Sequence, residues 1–489
     1  MSVVDRATRH RGMLIGGTWR EAASGEVIEV ESPADRTVIG SVPRGTSVEV
    51  DAAVAAAREA FESWRRVAPR ERAEHLLAVS GGLAEASEDI ARITAAETGN
   101  ALRTQARPEA ALAVDVFRYF GGVTGELKGE TVPLGPDLLS YTVREPLGVI
   151  GGIIPWNSPI MLGAVKVAMA LATGNTLVLK AAEDAPLGIL RLAEVVAEHV
   201  PAGVLNVVTG YGGECGAPLV RHPSVAKVSF TGSTEVGKDV LRACADRILP
   251  VSLELGGKSP AIVFPDADED RVAAGVIAGM RFTRQGQSCT AGSRLFVHES
   301  IHDSFLDRLV RQLAAIKVGD PLDEETDMGA IINRRQFDRV CEYISGGLDA
   351  GATAVIGGLP PGDGPLAAGY FLEPTVFTDL DTRSRIAVEE VFGPVLAVLP
   401  WRDEDEVVRM ANDSRYGLAG FVWTRDIAAA LRTAHALEAG WVQVNRGLGQ
   451  LPGMSYGGYK ESGMGREFSL EGALEGFTQR KSITVALDL

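Results

Sequence analysis

The stretch VIGGIIPWNSPIMLGAVKVAMALATGNTLVL, residues 149–179, joins two apolar runs through a proline-bounded turn and a helical run. The apolar runs at 149–154 and 176–179 predict buried strands, and residues 160–173 predict the helix between them. The pattern continues along the chain, with apolar runs at 204–208, 225–230 and 251–255 and helical segments at 186–198, 213–221 and 233–245. Short strands alternating with helices favour a doubly wound parallel α/β sheet.

A second alternating series follows the first. Its apolar runs lie at 260–264, 294–298, 395–400, 419–424 and 440–445. This series predicts a second α/β domain of parallel strands. Before the first series, residues 13–42 predict short strands, and alanine-rich residues predict scaffold helices at 47–65, 69–86 and 88–98.

Residues 128–145 interrupt the helical pattern. They form two β-rich pieces about the turn Gly135-Pro136-Asp137, which predicts a hairpin or an extended arm. Residues 482–489, at the other end of the chain, also predict a strand. A simple surface hairpin is the alternative interpretation of these residues.

The composition excludes several classes of partner. The 489 residues contain 48 basic and 64 acidic side chains, for a net charge of −16, which argues against nucleic-acid and anionic-membrane partners. Residues 1–20 lack the apolar core of a signal peptide, and residues 147–179 are interrupted by Pro155, Asn157, Pro159 and Lys166. Four cysteines make neither a disulfide framework nor a zinc pattern, so we expect a cytoplasmic protein without a metal.

One cysteine occurs in a setting suited to chemistry. Cys289 lies in the glycine-flanked turn GQSCTAG at 286–292, between a helical run at 270–282 and an apolar run at 294–298. Cys215, Cys244 and Cys341 lack neighbours that could assist chemistry, and we interpret them as small buried side chains. Two further stretches, LELGGK at 253–258 and PWNSP at 155–159, provide a carboxylate and a side-chain amide.

These three motifs, with FTGSTEVG at 230–237 and EEVFGPV at 389–395, resemble the NAD(P)-dependent aldehyde dehydrogenase superfamily. The likeness covers essentially the whole chain, in the family's order. It implies an aldehyde dehydrogenase-like fold of two doubly wound parallel α/β domains with a small β oligomerisation arm. The implied dinucleotide-binding domain comprises residues 1–127 and 147–255, the catalytic domain 256–460, and the arm and tail 128–146 and 461–489.

The resemblance implies oxidation of an aldehyde to a carboxylic acid. Cys289 would attack the aldehyde as a thiolate, and Asn157 with the Cys289 N–H would stabilise the oxyanion of the hemithioacetal. After hydride transfer, Glu254 would activate the water that hydrolyses the thioester. No nearby His or Arg explains how the thiolate forms, and the positive charge of the bound nicotinamide is one candidate source. Lys166 and Glu467 match a proton-moving pair of some members, or form a structural ion pair.

The cofactor side of the site follows from both residues and resemblance. The segment 230–237 places a glycine and hydroxyls where a strand ends and a helix begins, which suits a pyrophosphate. Glu183 favours ribose hydroxyls over a 2′-phosphate and hence NAD, with NADP as the alternative. Gly210-Tyr211-Gly212-Gly213-Glu214-Cys215-Gly216 is a weak fingerprint and could be a plain turn. The implied cofactor-binding residues are Ile153, Pro155, Trp156, Lys180, Glu183, Gly212, Gly216, Phe230, Gly232, Ser233, Leu255, Gln336, Glu390 and Phe392.

Two other functions compete with this interpretation. A CoA-acylating semialdehyde dehydrogenase would keep its thioester and generally lacks a base such as Glu254. A non-catalytic binding protein of the same fold would fit better if Cys289, Glu254 or Asn157 were altered. Ser158 and Val165 would leave room for a large or aromatic aldehyde, with an apolar lining from Leu162, Leu448, Leu451 and Met454. The arm and tail suggest a homodimer or homotetramer.

Overall fold

Two large, mostly parallel β-sheets organise the chain. The computed structural model describes residues 10–360 and 362–487, so the expectations for residues 1–9 and 488–489 lie outside the described residues. The strands are β1 Met13–Ile15, β2 Thr18–Arg20, β3 Val27–Glu31, β4 Val38–Pro43, β5 Thr131–Pro133, β6 Leu138–Pro146, β7 Val149–Ile153, β8 Thr176–Lys180, β9 Leu205–Val208, β10 Val225–Thr231, β11 Val251–Glu254, β12 Pro260–Val263, β13 Arg294–His298, β14 Thr353–Ile356, β15 Thr375–Thr378, β16 Val395–Trp401, β17 Tyr416–Gly417, β18 Ala419–Trp423, β19 Trp441–Val444, β20 Tyr459–Lys460, β21 Gly463–Met464 and β22 Thr478–Ala486. The helices are α1 Ser47–Trp64, α2 Pro69–Thr98, α3 Arg107–Val123, α4 Pro159–Ala172, α5 Leu187–Ala197, α6 Ala217–Arg221, α7 Thr234–Ala245, α8 Asp270–Met280, α9 His302–Leu313, α10 Arg334–Asp349, α11 Arg385–Val388, α12 Glu404–Asn412, α13 Ile427–Ala436 and α14 Leu470–Phe477.

The first sheet has the strand order β2-β1-β9-β8-β7-β10-β11-β21. Its five central strands are parallel and match the predicted strands to within one residue at each end, which confirms the doubly wound fold. Ile153 pairs with both Lys180 and Phe230, so the carboxyl ends of β7, β8 and β10 lie side by side. Ligands of such sheets bind at this edge.

Helix α4 explains the most apolar part of the sequence. All of its residues are buried, because it packs beneath the first sheet and against α3. Within the part of the chain that the structure describes, no helix is long and apolar enough to cross a membrane.

The second sheet has the order β14-β15-β16-β13-β12-β18-β19 and is parallel from β15 to β19. Five of its strands match the predicted second series to within one residue at each end, which confirms the second α/β unit. Cys289 lies just before β13, near the middle of this sheet.

The scaffold helices differ from prediction at one place. Residues 69–98 form a single helix, α2, and the expected break near Ser87 was wrong. Serine is only a modest helix former and neither glycine nor proline accompanies it there. Leu83, Ala86 and Ile90 continue one buried face across the expected break, so packing keeps the helix whole.

The predicted arm is a three-stranded antiparallel sheet of β5, β6 and β22. Strand β22 pairs with β6 along its full length, from Thr478 opposite Pro146 to Ala486 opposite Leu138. Within the predicted tail, β21 joins the first sheet by pairing with β11. The domain limits drawn from the sequence remain a prediction.

Candidate active site

Cys289 lies in a tightly turned loop between α8 and β13. Gln285 and Gly286 both have left-handed backbones, with φ of 53° and 64°. A Cβ atom on Gly286 would collide with the carbonyl oxygen of Gly393. Glycine is therefore required at position 286, because both its conformation and its close approach to the 389–395 segment exclude a side chain.

Asn157 is tied to this loop. Its side-chain Nδ2 donates to the main-chain carbonyl oxygen of Gln287 at 2.9 Å. Its main-chain carbonyl oxygen accepts from the side-chain amide of Asn100 at 3.2 Å. A primary amide carries two N–H donors. One N–H fixes the side chain to the Cys289 loop, and the second has no hydrogen-bond partner among the described residues.

Glu254 ends β11 and is 3% exposed. Neither of its carboxylate oxygens has a hydrogen-bond partner among the described residues. Burial, and next the charge of Glu467, raises the pKa of Glu254 well above its ordinary value. The glycines that follow bring the two segments together, since a Cβ on Gly257 would collide with the carbonyl oxygen of Cys289.

The thiol of Cys289 is held neutral by its surroundings in the free protein. Burial raises the pKa of Cys289 to about 11. A hydrogen bond with Tyr456 opposes this rise, the charges of Glu390 and Glu254 add to it, and Arg284 opposes it. Formation of a thiolate therefore depends on the groups that lower this pKa.

Three residues near the sulfur escaped the sequence analysis: Arg281, Arg284 and Tyr456. The sequence motifs showed no arginine near the thiol, whereas in the structure Arg284 lowers the pKa of Cys289 and Arg281 also interacts with it. The two arginines precede Cys289 in the same segment, which is a signal that the sequence offered. Tyr456 is 167 positions away, and no motif pointed to it.

Lys166 and Glu467 form a fully buried ion pair of 2.8 Å. Ser229 shares it, because its hydroxyl accepts from Lys166 at 2.8 Å and donates to Glu467 at 3.0 Å. The charge of Glu467 raises the pKa of Glu254 and the charge of Lys166 lowers it. The pair is therefore coupled electrostatically to Glu254.

At the carboxyl edge of the first sheet, Lys180 pairs with Glu183 at 2.6 Å. Ser233 caps α7 by accepting from Val236 at 3.4 Å. Two buried hydroxyls next to this cap, those of Thr231 and Thr234, have no hydrogen-bond partner among the described residues.

The start of α7 therefore suits a phosphate group of a dinucleotide. Free N–H groups at a helix start and the two unpartnered hydroxyls are donors for such a group. Position 232 requires glycine, because a Cβ atom there would collide with the ring of Phe230.

The 389–395 segment forms the other side of the cleft. Glu390 accepts from the N–H of Gly257 at 2.9 Å, and burial raises its pKa to about 7. Phe392 has a left-handed φ of 60° and meets Trp156 edge-on at 5.4 Å between ring centroids. Gln336 donates to the carbonyl oxygens of Phe392, at 2.8 Å, and Val391, at 3.3 Å, so it positions this turn.

The remaining predicted cofactor residues lie along the same edge of the first sheet. Pro155 follows β7, and a Cβ on Gly216 would lie 3.8 Å from Ile153. Gly212 and Gly216 bound a helical turn that leads into α6. Leu255 packs so closely on Gly237 of α7 that a side chain there would collide with it.

The residues expected on the substrate side are partly buried and partly exposed. Ser158 and Val165 are buried, and the Ser158 hydroxyl accepts from the Arg284 guanidinium. Leu448 and Leu451 are exposed apolar side chains near the carbonyl oxygens that bind Arg281. Within the described residues no group of three or more metal-binding side chains occurs.

Known proteins resemble this chain in both sequence and fold. The sequence profile of the aldehyde dehydrogenase family matches residues 19–483. The chain belongs to the aldehyde dehydrogenase family. It oxidises aldehydes with a nicotinamide dinucleotide, NAD(P).

Individual aldehyde dehydrogenases are similar over almost the full length. The hydroxyisobutyraldehyde dehydrogenase of Mycolicibacterium austroafricanum is 45% identical, over 97% of this chain and 94% of its own. The phenylacetaldehyde dehydrogenase of Pseudomonas fluorescens is 43% identical, over 97% and 95%. The NAD+ complex of the Bacillus cereus aldehyde dehydrogenase superposes with a TM-score of 0.96 at 39% identity, covering 100% of this chain and 99% of that one.

Proposed function

We propose that Cys289 is the nucleophile of aldehyde oxidation, that Asn157 and the Cys289 N–H bind the oxyanion, and that Glu254 is the general base. The observation that carries this assignment is the buried, unpartnered carboxylate of Glu254 beside the Cys289 loop. A raised pKa makes a carboxylate a stronger base, which suits it to take a proton from water. Lys166 and Glu467 tune that base through their charges.

The dinucleotide would be held along the carboxyl edge of the first sheet. Ser233, Thr231 and Thr234 would bind the pyrophosphate, Glu183 the adenosine ribose, and Glu390 the nicotinamide ribose. When bound, the nicotinamide accepts a hydride from the substrate carbon. Phe392 and Trp156 would position the ring, and Gln336 would support Phe392 through its main chain.

Replacing the sulfur tests the central assignment. In Cys289→Ser, NADH formation from any aldehyde should fall at least about 1000-fold, because a hydroxyl ionises far less readily than a thiol. Cys341→Ser is the matched control, since Cys341 is a free, partly exposed cysteine in α10. Retention of turnover in Cys289→Ser would overturn the assignment.

We also propose that the protein prefers NAD to NADP. Glu183 can accept hydrogen bonds from ribose hydroxyls, and its charge would repel a 2′-phosphate. Its partner Lys180 would attract that phosphate only if released from the pair. In Glu183→Gln the ratio of kcat/KM for NADP over NAD should rise by about tenfold or more. The exposed Glu198→Gln serves as control, and an unchanged ratio would rule out this role for Glu183.

The product is proposed to be a free acid rather than an acyl-CoA. An enzyme that transfers its acyl group to CoA must protect the thioester from water, whereas the proposed base Glu254 would activate water. The test supplies CoA together with aldehyde and NAD. Acyl-CoA as the main product would overturn the proposal.

The substrate is proposed to be an aldehyde with an apolar group. Leu448 and Leu451 are exposed at the loop that binds Arg281, and Met454 lies close by in the chain. A panel of aldehyde substrates should include phenylacetaldehyde and hydroxyisobutyraldehyde, the aldehydes that appear in the names of two relatives. It should also include short aliphatic aldehydes. Much higher kcat/KM for the short aliphatic aldehydes would contradict the proposal.

The arm is proposed to join subunits into a homodimer or homotetramer. Its strands and the adjoining residues expose several large apolar side chains, namely Val132, Leu134, Leu138, Leu139, Val485 and Leu487. Exposed apolar clusters of this kind mark interfaces. Leu139→Lys should shift the protein to a smaller species in light scattering, whereas Ile427→Lys, which changes an exposed isoleucine of α13, should not. A monomeric wild-type protein would exclude the proposal.

Two further expectations remain proposals. The first sheet with its helices would act as the dinucleotide-binding domain and the second sheet as the catalytic domain. The four cysteines are all free, which is consistent with a reducing compartment such as the cytoplasm. Fractionation of the native cells would test the location.

A further inference from the structure

The hydroxyl of Tyr456 faces the sulfur of Cys289 at 3.6 Å. Tyr456 is 2% exposed, and its ring packs edge-on against Trp441 and Phe468, at centroid distances of 5.9 and 5.5 Å. Its main chain exchanges two hydrogen bonds with that of Glu467. Ring and main chain are thus fixed from both sides, which leaves the hydroxyl aimed at the sulfur.

The charge of the sulfur decides which atom donates. A thiolate has no proton to give, so the phenol hydroxyl is the donor once Cys289 is ionised. The side chain of Gln450 lowers the pKa of Tyr456. Burial raises the pKa of Tyr456 well above its ordinary value, so the phenol keeps its proton.

Charged and titratable groups face the sulfur from several elements. They are Glu254 of β11, Glu390 of the 389–395 segment, Arg281 and Arg284 of the loop before the cysteine, and Tyr456. The two carboxylates disfavour a thiolate. Arg284 is partly neutralised, because Glu109 lies 3.6 Å from its guanidinium. Tyr456 is the group of this set that is within hydrogen-bonding distance of the sulfur.

We propose that Tyr456 is a catalytic residue whose hydroxyl donates a hydrogen bond to the Cys289 thiolate, favouring ionisation and orienting the sulfur for attack. The inference rests on the proposed nucleophilic role of Cys289. Hydrogen bonds to charged atoms are stronger than those to neutral ones. The bond therefore acts before attack and weakens once the sulfur is bound to carbon and has lost its charge.

The test measures the thiolate without any aldehyde. Alkylation of Cys289 by iodoacetamide is followed by mass spectrometry of its peptide over a range of pH, in the full-length protein. In Tyr456→Phe, alkylation at neutral pH should be about tenfold slower or more, with the rise in rate displaced to higher pH. Tyr370→Phe is the matched control, because Tyr370 is buried and its hydroxyl donates to Glu31 at 2.8 Å, away from the site.

A second variant keeps the inference testable if Tyr456→Phe does not fold. Gln450→Met removes the side-chain amide at similar volume and should slow alkylation in the same direction but less, because Tyr456 is then less polarised. Unchanged alkylation profiles in the folded variants would overturn the inference. So would unchanged alkylation combined with a KM increase confined to aldehydes that carry a hydroxyl, since Tyr456 would then contact substrate. Aldehyde turnover by Cys289→Ser would instead refute the nucleophile assignment itself.

Discussion

Glu97 and Glu254 are both buried glutamates, but their surroundings differ in one respect. Glu97 accepts hydrogen bonds from the N–H groups of Leu187 and Gly188, at 2.7 and 2.9 Å, at the start of α5. Glu109 does the same at the start of α4. Glu254 accepts none among the described residues. Burial alone therefore does not distinguish Glu254 from Glu97, and the absence of hydrogen-bond partners for both carboxylate oxygens of Glu254 among the described residues does.

Such a carboxylate is costly to maintain, because a buried polar group without a hydrogen bond destabilises the fold. The backbone of Glu254 is held on both sides, opposite Thr231 of β10 and Gly463 of β21. This pairing prevents the side chain from relaxing towards solvent. The comparison predicts that changes at the two helix starts alter stability, whereas changes near Cys289 alter catalysis.

The largest contrast is expected between Glu254→Gln and Glu97→Gln. Glu254→Gln should lower kcat by about 100- to 10,000-fold, because general-base catalysis is lost, with little loss of thermal stability. If the base acts on the thioester, a first burst of about one NADH per active site should persist. Glu97→Gln should retain kcat per folded molecule.

A loss of activity in Glu97→Gln equal to that in Glu254→Gln would contradict the contrast drawn between the two glutamates. A large drop in melting temperature for Glu254→Gln would do so as well. Rapid-mixing measurements of NADH and a thermal melt of both variants provide these data.

A second contrast concerns two asparagines. Among the described residues one N–H of Asn157 has no partner, whereas Asn175 donates to the Thr173 hydroxyl and the Phe477 carbonyl and accepts from Gly148. Asn157→Ala should cost about 3 kcal/mol of transition-state stabilisation, read from kcat/KM. Asn175→Ala should lower stability and leave kcat/KM nearly unchanged. Equal kinetic losses in both variants would remove the oxyanion role from Asn157.

Five strands of each large sheet were predicted well because their signals are local, whereas β14, β15 and β21 were not predicted. The β-branched runs that became β7 to β13 lie between clear turns, so the limits differ by at most one residue. The break near Ser87 was predicted wrongly because packing of α2 decides that point. Tyr456 could not be found from local pattern, since only folding brings it to Cys289. Whether a carboxylate has partners is likewise a property of the folded chain.

A third prediction uses the pH dependence of stability. Burial raises the pKa of Glu97 from 4.5 to about 8, so this group favours the folded state below pH 4.5 and that contribution is lost as pH rises towards 8. Glu97→Gln resembles the neutral acid and lacks this dependence. The free energy of unfolding of this variant relative to wild type should therefore increase between pH 5 and 8, by about 3 to 4 kcal/mol. A difference that stays constant or decreases in urea melts would show that Glu97 is ionised in the folded protein.

The smallest effect is expected at Glu467, which acts on Glu254 only through its charge. Glu467→Gln removes a charge that raises the pKa of Glu254, so the acidic limb of the kcat profile should move to lower pH. The change in kcat at neutral pH should be within about fivefold, because Lys166 keeps its hydrogen bond to Ser229 and the base itself remains. Glu461→Gln removes a partly exposed carboxylate paired with Lys238 and should leave the profile in place. An acidic limb that stays fixed, or moves to higher pH, would mean that Glu467 does not tune Glu254 and that the buried pair serves only to hold α4 against the first sheet.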